Sequence, residues 1–464
     1  MTTALLVIVI IVLSTFLVTN GIYLLNSILA ARKLRDISRE LRRSTAPEAF
    51  ASQLTPGVSI LVPTRNEEAA IVDTVQSLLA LRYPRFEVIV VEGGSTDSTR
   101  QRLIDEFELV PAQRASRDAI PTGPVGPCFL SSRYPDLWLM CKPEAGKADA
   151  LNAGVNAARY PYFATVDGDA ILEPEALLRA MQPVLADPSV IGSGGMVRAV
   201  NGSVVEHGRV VTVGFPDTYV SGLQIAEYFR SFLLMRTPLS GADSVLIISG
   251  AFGLFRRDLV EQVGGYYTET AADDVEIVIH LYRFARETGR RSRIVFLPDP
   301  VCWTEVPDTL SGLLRQRRRW HRGLAEAIWR HRRVVFRPSY GRLGCYAMPY
   351  LLLELLGPPV EVLAWVTVIV GALLGVLSLP VFLLFLAVSI SLSISGSLAA
   401  LTLAEADYRR HAPGPETSRL VTYALSETFG YRQLVSVACL AGLIDFVRGR
   451  RYYTQPTRRG HTRR

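Results

Sequence analysis

Cysteine is scarce in this sequence and never paired. Among 464 residues there are five, Cys128, Cys141, Cys302, Cys345 and Cys439, with no Cys-x-x-Cys and no histidine at a ligand spacing from them. That scatter reads as reduced thiols and argues against a zinc site. Histidine is also sparse, and His207, His280 and His321 stand singly, which favours packing over catalysis. No basic-aromatic recognition module accompanies the net charge of +7, so nucleic acid is not an expected partner. Positive charge is missing, too, ahead of the first apolar run. The chain opens Met-Thr-Thr, is apolar from Ala4 to about Ala30, and turns basic only at Arg32, Lys33 and Arg35. A secretory signal has the opposite order. The expectation is an uncleaved anchor over 1–31 with its N-terminus outside, so that the chain after it starts in the cytoplasm.

Apolar residues are abundant at 49%, enough for one sizeable soluble core and membrane helices besides. Two further spans are expected within 346–403. The first runs from Tyr346 to Leu373 with a bend at Gly357, Pro358 and Pro359, and the second from Leu374 to Leu403, leaving Gly375 to Pro380 as a tight external turn. The run Leu434 to Phe446 is too short to cross comfortably. A crossing there would also strand the basic tail 448–464 outside, so 421–447 reads as an interfacial or re-entrant segment and the tail as cytoplasmic. Arginines gather beside these runs, most densely in Leu313 to Gly323, LLRQRRRWHRG, where five of eleven residues are arginine. A basic helix face against phospholipid headgroups is one reading of that stretch over 309–345.

Between Val58 and Leu310 the pattern changes. Apolar runs of strand length (Val58 to Val62, Phe86 to Val91, Leu137 to Cys141, Tyr162 to Val166, Ile294 to Leu297) alternate with helical stretches such as Ile71 to Leu81 and Lys147 to Arg159. This predicts an α/β domain with a mostly parallel sheet, whose ligands sit beyond the carboxyl ends of strands. Pro63 to Glu68 follows the first run. Glu92-Gly-Gly-Ser-Thr-Asp97 follows the second, and its glycines allow close approach of backbone to a ligand. Asp167-Gly-Asp169 follows Val166. Residues two apart in an extended chain face one side, so both carboxylates can meet one hard divalent cation. Lys147 opens a helix and serves either a phosphate or merely a solvated first turn. Asp273-Asp274 follows Gly264-Gly-Tyr-Tyr267 and is either a base or a pair of N-terminal dipole partners. The insert Pro111 to Tyr134, rich in Pro, Gly and Arg, reads as a long surface loop.

Taken in order, VPTRNEE, VVEGGSTDST, GKADALNAG, VDGDA, SGAFGLFRRD, the Asp-Asp pair and QRRRW resemble the membrane-embedded family 2 glycosyltransferases, among them cellulose, hyaluronan, chitin and poly-N-acetylglucosamine synthases. The resemblance covers about Pro56 to Trp320. It implies a cytoplasmic GT-A catalytic domain over 56–308, a nucleotide-sugar donor, usually a UDP-sugar, a Mg or Mn ion, and inversion by direct displacement. It further implies that Thr64, Glu67 and Glu92 lie around base and ribose, and that Lys147 and Asp167 hold diphosphate and sugar. Asp169 would ligate the metal together with Asp167, and Asp274 would be the general base. Gln316, Arg319 and Trp320 would close over diphosphate and acceptor. Trp303 and Phe252 stand between a place on the acceptor path and ordinary packing.

Two positions depart from the family pattern. Glu92-Gly93-Gly94-Ser95 stands where many relatives carry Asp-Asp-Gly-Ser, and Asp273-Asp274 where Glu-Asp is usual. The leading expectation is a processive polysaccharide synthase, multi-pass in the inner or cell membrane, in contact with membrane lipids and exporting its glycan. So few spans would need a homo-oligomer or the 421–447 segment to complete a channel. The alternatives are a transferase adding one sugar to a lipid-linked acceptor and a non-catalytic membrane receptor for nucleotide.

Overall fold

The computed structural model describes residues 55–375, 377–408, 415–450 and 460, together with 7, 10, 14–18, 21, 22, 24, 25, 28–30 and 32. Much of the 1–31 anchor and most of the 448–464 tail therefore lie outside the described residues. The chain divides into two compact units. One comprises Arg39–Asp217, Ala242–Val306 and Thr457–Arg464, and the other Met1–Ser38, Thr218–Gly241 and Pro307–Pro456.

The first unit is a mixed α/β domain. Its strands are β1 (Val58–Thr64), β2 (Phe86–Gly93), β3 (Leu109–Pro111), β4 (Cys128–Ser131), β5 (Leu137–Lys142), β6 (Tyr162–Val166), β7 (Ile171–Leu172), β8 (Val190–Ala199), β9 (Val204–Glu206), β10 (Arg209–Thr212), β11 (Phe252–Arg256) and β12 (Arg293–Thr304). Ten of them form one sheet in the order β3-β4-β5-β2-β1-β6-β11-β8-β12-β7, while β9 and β10 make a separate hairpin. The centre, β5-β2-β1-β6, is parallel throughout. Its strands are mostly apolar and almost wholly buried, as strands covered on both faces are, with Ser59, Glu87 and Thr165 among their buried polar members. Strand order reverses between β1 and β6, the place in an open α/β sheet where a crevice forms at the carboxyl ends.

The helix Lys147–Ala157 is built of small residues, and almost every one is buried. At Gly154 a Cβ would lie 3.1 Å from the Leu61 side chain, so glycine lets this helix lie close on β1 without displacing Leu61. The sequence pattern missed β8 and β11. Glycine has low strand propensity, yet β8 needs it: a Cβ at Gly194 would reach 2.5 Å from Ile248, and at Gly195 2.1 Å from Val301.

The 111–134 insert is not simply a surface loop. It contains β4, which pairs antiparallel with β3 and β5, and Ile120, which is fully buried. Arg114 donates to Glu87 at 2.9 Å and lies 4.7 Å over the Trp138 ring. Lys142 and Asp149, 1% and 8% exposed, pair at 3.1 Å. They strap Gly123 from both sides, Lys142 donating to its carbonyl and Asp149 accepting from its N–H. These anchors are long-range polar contacts, which periodicity does not report.

The second unit is helical. Among the described residues, two helices are long and apolar enough to cross a membrane by length and composition, Leu343–Leu373 and Phe382–Thr402. The helix Tyr431–Val447 meets Ser418–Ser426 at 54°, and the two qualify together as a broken span or a re-entrant loop. Phe16 packs with Ala364, Val368, Leu377 and Phe385.

Thr309 caps the helix Leu310–Arg330 by accepting the Gly312 N–H. That helix is not an open basic face. Arg317 pairs with Glu227, Arg318 with Asp445, and Arg322 with Glu326. The reading of this stretch as a basic face against headgroups is thereby corrected at Arg318 and Arg322, because Asp445 on a neighbouring helix and Glu326 on this one take their guanidinium groups. His321 is buried against the candidate span Leu343–Leu373, its Nε2 bonded to the Leu355 carbonyl at 2.9 Å. Leu355 stands four residues before Pro359, which has no N–H to give that carbonyl.

Candidate active site

Four loops of the first unit converge at the carboxyl ends of its strands. Thr64 ends β1 in register with Glu92 on β2, and both are buried. Glu92 accepts the Ser95 N–H and so closes the Gly93-Gly94 turn from inside. The loop after β1 is interlocked with that turn. Asn66, with φ of 54°, accepts the Thr96 N–H at 2.8 Å, while Ser95 Oγ accepts the Asn66 N–H at 3.0 Å. Below lies the Asp167-Gly168-Asp169 turn, held by Thr74, which donates to the Gly168 carbonyl at 3.0 Å. A Cβ at Gly168 would come within 2.9 Å of Thr64 Oγ1 and 3.2 Å of Glu67 Cγ. Thr64, Glu67 and the acidic turn are thus one neighbourhood, and Thr64 Oγ1 is buried with no hydrogen-bond partner among the described residues.

A pocket opens beside it, lined by Lys147, Thr165, Ser249, Gly250, Tyr266, Asp273 and Asp274 among others. Lys147 Nζ donates to Asp167 Oδ1 at 2.5 Å and lies 3.9 Å from Asp273. Burial works against this ammonium, but Asp167, Asp273 and Asp274 outweigh it and raise its pKa above the usual lysine range. Asp274 opens the helix Asp273–Glu287, its Oδ2 accepting the Gly250 N–H at 3.2 Å and its Oδ1 the Val275 N–H at 2.9 Å. Asp169, 2% exposed, accepts from Thr304 Oγ1 on β12 at 3.1 Å.

Among the described residues no group of three or more His, Cys, Asp or Glu side chains is poised for a metal. Asp167 and Asp169 nevertheless offer hard oxygen donors at one strand end. That fits a Mg or Mn ion completing its shell with phosphate oxygens and water.

Sequence reasoning overlooked Tyr266 and Gly250 as pocket residues. Asn152 explains the first: its amide donates to the Tyr266 carbonyl and accepts the Tyr266 N–H, tying the Gly264-Gly265 turn to the lysine helix. The Tyr266 hydroxyl is buried without a hydrogen-bond partner among the described residues, and burial pushes its pKa up, reinforced by Asp273 and Asp274. Trp303 and Phe252 prove to be packed residues. Trp303 is 3% exposed with its indole N–H donated to Glu173 at 2.6 Å, and Phe252 is fully buried.

Gln316, Arg319 and Trp320 belong to the second unit. They share one side of the helix Leu310–Arg330, half-buried at Gln316 and exposed at Arg319 and Trp320. Arg317 beneath them is buried. Its NH1 donates to Gln316 Oε1 at 2.9 Å, its NH2 donates to Glu227 Oε2 at 2.8 Å, and its guanidinium lies 4.4 Å from the Trp320 ring centre. Burial would raise the Glu227 carboxyl, but Arg317, the Tyr431 hydroxyl and Arg230 hold it below the usual carboxylate range.

Comparison with known proteins follows the same residues. Positions 59–109 match the model for glycosyl transferase family 2, and positions 130–323 that for glycosyltransferase like family 2. A poly-beta-1,6-N-acetyl-D-glucosamine synthase of Staphylococcus epidermidis is 28% identical over 278 residues, 60% of this chain and 57% of that protein. One from Staphylococcus aureus strain COL is 29% identical over 295 residues, 63% and 61% respectively. The match thus takes in less than two thirds of these curated relatives. Among solved structures, a mannosyltransferase from Pyrobaculum calidifontis, in complex with GDP-Man and Mn2+, aligns over 96% of this chain and 100% of its own, with a TM-score of 0.54 and 20% identity. With family 2 models matching positions 59–109 and 130–323 and a GT-A fold beneath them, the chain belongs to glycosyltransferase family 2.

Proposed function

We propose that this chain is an inverting, metal-dependent membrane transferase. It moves a sugar from a nucleotide-sugar, preferably a UDP-sugar, to a growing polysaccharide at the cytoplasmic face of the cell membrane, processively and with export. One observation carries the chemistry: Asp274, fixed by the Gly250 N–H, shares a pocket with Lys147 and lies among the acids that hold its charge. The kinship with poly-N-acetylglucosamine synthases favours a polymer over a single transfer and makes UDP-N-acetylglucosamine the first donor to try.

In this reading Asp274 takes the proton of the acceptor hydroxyl as its oxygen bonds to the anomeric carbon. The bond from that carbon to the diphosphate breaks, and its electron pair leaves with the nucleotide. Attack opposite the leaving group inverts the centre. A positioned carboxylate base contributes on the order of 100- to 10,000-fold. Lys147 offsets charge on the diphosphate, and Asp167 passes between this ammonium and the donor. Thr64, Glu67 and Glu92 take base and ribose. Gln316 and Arg319 meet diphosphate, and Trp320 offers an apolar face to a sugar ring. Asp167 and Asp169 would hold Mg or Mn, which when bound offsets the charge that develops on the leaving diphosphate.

The test offers purified protein a panel of nucleotide sugars with Mg or Mn, reading nucleotide release and product length. Release with long product is expected. Release with only a short lipid-linked product would move the reading to single transfer, and ligand binding without turnover would end it.

A further inference from the structure

The second residue of the Gln316 to Trp320 run is its buried one. Arg317 retains 4% side-chain exposure, whereas Trp320 is 41% exposed. Its guanidinium reaches in two directions. Outward it donates to Gln316 Oε1 and lies under the Trp320 ring. Inward it donates to Glu227 Oε2, an oxygen that also accepts the Tyr431 hydroxyl. Leu223, Leu313 and Tyr431 pack together beside this group, with Val220, Tyr423 and Val435 around them. A guanidinium in such surroundings is held where its carboxylate is, because an unpaired buried charge is costly. Its planar fork cannot turn from Glu227 without also leaving the Gln316 amide and the indole.

We propose that Glu227, oriented by the Tyr431 hydroxyl, is a positioning residue for the Gln316 to Trp320 face: it fixes Arg317, and Arg317 fixes the Gln316 amide and the Trp320 ring in the orientation that transfer requires. The inference rests on the role given above to Gln316, Arg319 and Trp320. Glu227 itself touches no substrate in this account.

The experiment uses the full chain in lipid nanodiscs, with donor titration, steady-state kinetics and thermal melting on each variant. Glu227→Gln keeps shape and removes charge; Tyr431→Phe removes only the hydroxyl and guards against misfolding of the first variant. Turnover should fall about tenfold in Glu227→Gln, the factor for one lost charge-assisted hydrogen bond, and less in Tyr431→Phe. Turnover should fall by more than donor affinity does, because closure of this face over the diphosphate counts most in the transition state. Arg317→Lys, which keeps the charge but not the fork, should behave like Glu227→Gln. In a Gln316→Ala, Trp320→Ala background the Glu227→Gln change should cost less than twofold more. Near-normal turnover in both Glu227→Gln and Tyr431→Phe, or a full additional loss in that background, overturns the proposal. Normal turnover in Gln316→Ala, Arg319→Ala and Trp320→Ala alike would instead locate the failure in the role of the motif itself, and the positioning proposal would fall with it.

Discussion

Gly250→Ala separates the chemistry of the pocket from the stability of the fold. A Cβ at this position would lie 3.0 Å from Lys147 Nζ, 3.7 Å from Asp274 Oδ2 and 3.9 Å from Asp274 Cβ. Favourable contact begins near 3.5 Å, so the ammonium must retreat by roughly half an ångström. It is already 2.5 Å from Asp167 Oδ1, and that carboxylate would have to move with it. Misplacement by about 1 Å at a reacting centre costs on the order of 100-fold, so turnover should fall by roughly 10- to 100-fold. The backbone should not object. Gly250 is not among the glycines with positive φ, and restricting the unfolded chain with alanine stabilises by about 0.4–1 kcal/mol at a compatible position. The melting temperature should therefore hold or rise slightly while nucleotide release collapses, both measured on the same detergent-solubilised preparation. Turnover within twofold of wild type would refute the reasoning, because neither Lys147 nor Asp274 would then be working from where the structure puts them.

Asp274→Asn should bind donor with unchanged affinity and lose transfer by at least about 100-fold; appreciable turnover would remove it as the base. Asp169→Ala should abolish the response of nucleotide release to added Mn, and an undiminished metal response would take it out of the ion site. Asp149→Asn leaves Lys142 buried without its counter-charge and should cost about 3–5 kcal/mol in a denaturant melt, much of it recovered in the double variant Lys142→Met, Asp149→Leu; an unchanged melt would contradict the buried pair. Burial pushes His321 down to about 4, so between that pH and its unfolded value near 6.5 the unfolded chain binds the extra proton. The stability from keeping His321 neutral is complete above about pH 6.5 and is lost as pH falls toward 4, up to about 3 kcal/mol. The acid-side slope of the melting temperature should flatten in His321→Gln, and identical slopes would remove His321 as its source.

Local signals carried the centre of the fold well. The five expected apolar runs lie within β1, β2, β5, β6 and β12, because strands buried on both faces read as largely apolar segments, even where Ser59, Glu87 or Thr165 interrupts them. The pocket acids and Lys147 were visible for a related reason, since each follows such a run or opens a helix. What stayed hidden depends on partners far along the chain. Glycine-rich β8 is a strand because β11 and β12 pair with it, its glycines making room for Ile248 and Val301, and nothing within Val190–Ala199 announces that. The arginines after Gln316 looked alike in sequence, yet Glu227, 90 positions away, and Asp445, 127 positions away, pair with Arg317 and Arg318. Tyr431 adds to the first pair from 204 positions beyond Glu227. Composition counts such charges without telling a headgroup contact from a buried ion pair.

The bond from His321 to the Leu355 carbonyl gives the biogenesis of this chain a direction. Proline at 359 leaves that carbonyl open within Leu343–Leu373, a helix apolar and long enough to be inserted as a membrane span. An open backbone carbonyl exposed to lipid costs several kcal/mol, so the hydrophobic segment alone is an incomplete passenger for insertion. The donor that completes it lies earlier in the chain and leaves the ribosome first. A nascent chain that has folded the helix Leu310–Arg330 therefore presents a ready socket to the span that follows. Proline and histidine at these two positions form a pair that evolution would be expected to change together.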